Sequence, residues 1–198
     1  MKYINQLDYA HVPYRTNTKN DAILDKKKDV ARSGCGLCAL CMVIDLLTSE
    51  ELSVEECVRM AEDCGASYGV GTDMSMLGAV AAEKFDIDYS QTFSLDEVIE
   101  HLRRGGQVIA LMVVPEGEKT GLFTDGGHYI NLISTDGEEF CILDPHYMDG
   151  RYDIPERAGK VDTTHAPYLH CDVNLVHAQT KTYRERYHLF SRKRGKRA

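Results

Sequence analysis

Hydrophobic and polar positions change their spacing near the middle of the chain. After Gly36, "LCALCMVIDLL" is apolar on almost every side, which predicts a buried helix. "SVEECVRMAEDCG" predicts a second, with Ser53 and Glu56 as a capping box and Gly65 as its stop. A third is expected from about Met74 to Lys84, capped by Asp73 or Thr72. A fourth repeats the box with Ser94 and Glu97 and stops at Gly105 and Gly106. From Gln107 the period shortens. "QVIALMVV" predicts a buried strand, and "HYINLIS" and "FCILD" two more, joined around "TDGEE" as a hairpin. "HCDVNLV" and "TYRERYHLF" are strand-like, and "PEGEKTGLFTDGG" (115–127) is a long loop, either a substrate lid or an idle surface loop. Helices first and antiparallel strands second give an α+β class, with the helices on one side of a sheet.

The 198 residues fit one domain, 1–198, large enough to bury a core. Residues 1–32 are polar and weakly patterned and predict an extended N-terminal arm. Residues 192–198 form a basic tail, expected to fray, with a polyanion contact as the sharper alternative. A net charge of −8 argues against nucleic acid as a partner. No apolar run approaches the ~20 residues that span a bilayer, so no membrane partner is expected. The start lacks a leader-like apolar segment, and seven cysteines is an odd count for a disulfide framework. A reducing cytoplasm is the expected location.

Cys35, Cys38 and Cys41 stand three apart. A metal site is disfavoured: the next ligand of an iron–sulfur run is absent, and Cys57, Cys64, Cys141 and Cys171 give no second close pair. No metal or other cofactor is expected. Cys38 and Cys41 lie within the apolar stretch and read as buried packing. Cys35 lies between two glycines where loop becomes helix, "SGCGL". Glycine neighbours permit a sharp turn and close approach of a substrate, and the helix dipole favours a thiolate. Cys35 is thus either a nucleophile or a buried structural thiol.

A nucleophilic thiol needs a base, and the base an orienting acceptor. His128 opens an apolar strand after "TDGG"; Asp144 ends the next strand before Pro145. Register decides whether they meet. A two- or four-residue loop would put them on opposite faces of the hairpin. An odd loop, such as Asp136, Gly137 and Glu138, or a bulge, puts His128, Ile130 and Leu132 on one face with Phe140, Ile142 and Asp144. An odd loop or a bulge is therefore predicted.

"SGCG" opening a buried helix, then "GGHYINLI", then "ILDPH" resembles the papain-like cysteine peptidase superfamily. The branch is that of the bacteriocin (double-glycine leader) processing peptidases, the C39-like group, and their free-standing bacterial relatives. The likeness runs from about "INQLDYAHVPY" to "YHLF". It implies a papain-like fold and a thiol-dependent hydrolase acting on a peptide or protein substrate through an acyl-enzyme. Cys35 would be the nucleophile, His128 the base and then acid, and Asp144 the orienting acceptor. In the leader peptidases a Gln shortly before the nucleophile serves the oxyanion; here "KKKDVARSG" has none, and Asp29 would repel an oxyanion if it pointed there. Free-standing relatives often carry an early Gln followed by Asp, which "NQLD" fits, so the resemblance assigns the role to Gln6; a polar arm residue is the alternative. Leu37 and Cys38 replace the Pro and small residue of the relatives, a change in packing more than chemistry. A non-catalytic peptide-binding or scaffold module, and acyl transfer with the same residues, are the competing functions. Substrate sequence and oligomeric state are not specified by the chain.

Overall fold

Capping side chains set most of the helix starts. The computed structural model describes residues 2–15, 29–68, 71–180, 186–193 and 195. Asn5 caps a 3-10 turn, Gln6–Tyr9, and Asp29 caps α1 (Val30–Ser33). Gly34 alone separates α1 from α2 (Cys35–Leu47). Ser53 and Glu56 form the full reciprocal box on α3 (Val54–Asp63). Asp73 caps α4 (Met74–Lys84), accepting from the N–H groups of Ser75 and Met76. Ser94 caps α5 (Leu95–Arg103), but the second box is half formed: the Glu97 carboxylate accepts instead from the Thr92 hydroxyl.

Two short strands, β1 (Ser67–Tyr68) and β2 (Gly71–Thr72), make a ribbon of their own. The main sheet holds β3 (Ile87–Thr92), β4 (Gln107–Val113), β5 (Gly127–Thr135), β6 (Glu139–Leu143), β7 (Asp162–His165), β8 (Tyr168–Asp172) and β9 (Tyr187–Arg192). Its order is β3-β9-β4-β5-β6-β8-β7, every pair antiparallel. The result is a mixed structure of helices and one antiparallel sheet. Among the described residues no helix is long and apolar enough to cross a membrane.

The helices do not share one side. Along β4, Ile109 packs into the core made by α2, α3 and α4, while Val108, Ala110 and Met112 pack into a second core with Val98 and Leu102 of α5. The unbroken apolar run of β4 has this cause: a central strand covered on both faces needs no polar alternation. α2 lies between the sheet and α3, and every residue from Gly36 to Ile44 is buried. Truncating Leu40, which has no exposed surface, to Ala would cost about 2–5 kcal/mol.

Three expected segments differ. The described part of the arm is not extended throughout, because Asn5 and Asp29 each start a helical turn; residues 16–28 lie outside the described residues. "HCDVNLV" is strand only to Asp172, whose carboxylate accepts from the N–H groups of Asn174 and Leu175 and starts α6 (Val173–Ala178). The basic tail begins anchored: Arg192 ends β9 and donates to the Leu47 carbonyl at the end of α2, and Lys193 pairs with Asp86. A guanidinium there satisfies an orphan helix carbonyl and the negative end of the dipole. Residues 194 and 196–198, and 181–185 of the last strand-like segment, lie outside the described residues.

Candidate active site

Two glycines fit Cys35 to its place. A Cβ on Gly34 would lie 2.4 Å from Val30 Cγ1, so only glycine allows α1 to run into α2 with this tight joint. A Cβ on Gly36 would lie 3.1 Å from both Thr72 Cβ and Tyr129 Cδ2. The sequence suggests that the glycines let a substrate approach closely; for Gly36 the structure differs, since it faces the interior and brings the helix close to β5 instead. Cys35 itself is half-buried, the first residue of a 13-residue helix.

The hairpin solves its register with a bulge. Thr135 pairs with Phe140 and Ser134 with Cys141, an arrangement that would separate His128 from Asp144. Between Leu132 and Ser134 the register shifts, and beyond it Leu132 faces Ile142 and Asn131 faces Leu143. One extra residue in β5 thus returns His128 and Asp144 to the same face as diagonal neighbours.

The structure joins Cys35, His128 and Asp144 in one chain of contacts. His128 Nε2 lies 2.6 Å from Asp144 Oδ1, and the imidazole and the Cys35 thiol lie close enough to shift each other's proton affinity. With Nε2 committed to the carboxylate, Nδ1 is the nitrogen left for sulfur. Asp144 is fully buried and well supplied with donors. The His146 N–H reaches Oδ1 at 2.8 Å and the Tyr152 hydroxyl reaches Oδ2 at 2.6 Å, while Arg151 Nε stands 3.2 Å from Oδ2 as an ion pair without a hydrogen bond.

These contacts decide the charges. Burial opposes ionisation of Cys35, but the hydrogen bond and charge of His128, with the N–H groups of Tyr129 and Gly36, outweigh it and bring the thiol below its ordinary pKa. Burial would likewise depress His128; the charge and hydrogen bond of Asp144, helped by Cys35, win and push it up to about 9. For Asp144 too, burial is overcome, by His128, Arg151 and Tyr152, which hold its carboxyl well below the usual carboxylate range. Both shifts run in the direction of a thiolate beside an imidazolium.

Gln6 sits beside this chain rather than in it. Its backbone N–H donates to the Pro145 carbonyl at 2.7 Å, and its Nε2 to the Ala31 carbonyl at 2.7 Å. It bridges the segment before Cys35 to the segment after Asp144. The second Nε2 hydrogen is not needed for Ala31. Asp29 is occupied elsewhere, accepting from the Arg32 N–H at the start of α1. Leu37 and Cys38 lie wholly in the core.

Sequence reasoning missed Arg151, Tyr152 and the stitching role of the arm. The Tyr3 hydroxyl donates to the Asp144 carbonyl at 2.6 Å, and Asn5 Nδ2 to the Tyr147 carbonyl at 2.7 Å. The long loop is also less free than a lid. Leu122, Phe123 and Thr124 are buried, and Arg157 Nε and Arg151 hold the carbonyls of Gly121 and Phe123. Among the described residues no group of three or more His, Cys, Asp or Glu is gathered as for a metal ion.

No family model and no curated protein matches the chain. Among solved structures, the crystal structure of a "putative C39-like peptidase from Bacillus anthracis" is similar over 98% of this chain and 99% of that one, with a TM-score of 0.55 and 11% identity. At that identity the likeness is one of fold. It extends over nearly the full length of both chains.

Proposed function

We propose that the protein is a thiol-dependent hydrolase, a peptidase or amidase of the papain-like, C39-like kind, acting as one domain on a peptide or protein. One observation carries the reading: a buried carboxylate holds an imidazole nitrogen at 2.6 Å, and that imidazole and a half-buried thiol at a helix start lie close enough to shift each other's proton affinity. In this reading the Cys35 thiolate attacks the carbonyl carbon of a scissile amide. The Cys35 N–H, at the first turn where helix donors lack partners, and the free hydrogen of Gln6 Nε2 hold the oxyanion. The His128 imidazolium gives its proton to the departing amine, leaving a thioester on Cys35. His128, now neutral, takes a proton from water as the water attacks the thioester. The intermediate collapses, the acid product leaves, and the thiolate–imidazolium pair is restored. Asp144 keeps the ring oriented throughout.

The likeness of fold to the C39-like structure agrees with this chemistry and does not specify a substrate. A reducing compartment suits a protein whose seven cysteines are all unpaired. The test is incubation with a mixed-sequence peptide library, with and without an added amine, followed by mass analysis of products and of the protein. Hydrolysis predicts carboxyl-terminated fragments and an acyl adduct on Cys35. Capture by the amine as the dominant product would favour acyl transfer. No cleavage and no adduct would leave a peptide-binding scaffold.

A further inference from the structure

The Asp144 carboxylate serves two cations. His128 takes Oδ1, and Arg151 Nε stands 3.2 Å from Oδ2, its guanidinium largely buried. The Arg151 fork is anchored on two further sides: one terminal nitrogen donates to the Phe123 carbonyl at 2.6 Å, and the other lies 3.1 Å from His146 Nδ1. The His146 ring in turn meets the His128 ring edge-on, 6.1 Å between centres. The Tyr152 hydroxyl completes Oδ2. A full positive charge is thus fixed behind the carboxylate that holds the candidate base.

We infer that Arg151 is a positioning residue that shares Asp144 with His128 and so limits how firmly the imidazole is held in its charged form. The inference rests on the reading of Cys35 and His128 as a reactive pair. A carboxylate facing one cation stabilises it more than a carboxylate divided between two. Without Arg151, His128 would retain its proton to higher pH and release it less readily to a leaving group. The groups facing the pair are Cys35 from α2, Asp144, His146, Arg151 and Tyr152 from the segment after β6, and the Tyr3 hydroxyl on the Asp144 carbonyl. Arg151 also opposes a proton on His146, which burial and this guanidinium push down to about 4. Both histidines therefore report the same charge.

The experiment is NMR titration of the His128 and His146 imidazoles in the full chain, compared between the natural protein, Arg151→Met and Arg151→Lys. Methionine removes charge and hydrogen bonds; lysine keeps the charge and loses the fork. Arg151→Met should move both titrations upward, His128 by about one pH unit, while Arg151→Lys leaves them within about 0.3 of the natural protein. Should the methionine variant fail to fold, Arg151→Gln, neutral yet able to donate to the Phe123 carbonyl, takes its place with the same expected shift. A His128 titration unmoved by loss of the charge, or moved as far by lysine as by the neutral residue, overturns the inference and makes Arg151 a structural anchor. The titration needs no turnover, so it stands apart from the peptide-library result: absence of cleavage counts against the hydrolase, not against Arg151.

Discussion

Cys35 and Cys38 lie three residues apart on α2, and His128 and His188 lie on strands of the same sheet, yet each couple divides. Burial drives the Cys38 thiol far above its ordinary range, with Cys41 and Cys35 adding to the effect, whereas Cys35 ends below it. Burial pushes His188 down to about 4, while His128, just as enclosed, is pushed up to about 9. His188 Nδ1 meets a neutral partner, the Tyr89 hydroxyl at 2.9 Å; His128 meets a carboxylate. Desolvation alone neutralises a group. A charged partner at hydrogen-bonding distance reverses the outcome, and only one of the two regions has one.

The largest expected difference lies between the thiols. Cys35→Ala should lower peptide cleavage by at least about 10³-fold in a product assay, while Cys38→Ala retains it within a few-fold and lowers stability in urea by about 1 kcal/mol. Equal losses from the two would erase the contrast. Next comes the carboxylate. Asp144→Asn should reduce cleavage by about 10²–10⁴-fold and bring His128 back toward its ordinary pKa by NMR. It also leaves Arg151 without its counter-charge, at a cost of about 3 kcal/mol in denaturant unfolding.

The two histidines should bound stability from opposite sides. His128 is raised above its unfolded value of about 6.5, so its contribution is complete below pH 6.5 and fades as pH climbs through about 9. Cys35, a depressed thiol, gains over part of that window and offsets the loss; Cys35→Ser should therefore steepen the alkaline decline in melting temperature. His188 is lowered, so protons bind the unfolded chain first and stability falls as pH drops from about 6.5 toward 4. Asp144, depressed, adds its own loss below about pH 3.9. His188→Leu should lessen the acid-side slope between pH 6.5 and 4, where His146, also lowered to about 4, keeps its share, and leave the alkaline side alone. The smallest effect is expected from that same variant on cleavage, a change within about two-fold, since His188 touches Tyr89 and Tyr129 rather than the reacting groups.

Local signals in the sequence carried the helix starts and the central hairpin. Ser53, Asp73 and Ser94 each cap the helix expected of them, because a cap is made by neighbours in the chain. The parity argument for His128 and Asp144 anticipated an odd loop or a bulge, and a bulge at Ile133 is what occurs. Other features depended on distant partners. β3, "IDYSQT", is polar along much of its length and is held by pairing with β9 from the far end of the chain. α5 carries nothing in its own sequence to say which face of the sheet it will cover. Arg151 looks like any loop arginine until Asp144, His146 and the Phe123 carbonyl converge on it. Gln6 was singled out on resemblance alone; its neighbours at Ala31 and Pro145 follow from how the arm folds across the molecule.

The most direct measurement is alkylation of the full chain with iodoacetamide at about pH 6, with the adducts mapped by mass spectrometry over time. At that pH an ordinary thiol is almost wholly protonated and reacts slowly. The account predicts one fast site, at Cys35, slowed by His128→Ala, with Cys38 and Cys57 unlabelled. Slow labelling spread over the half-buried cysteines, Cys64 and Cys141 as readily as Cys35, and indifferent to His128, would contradict it.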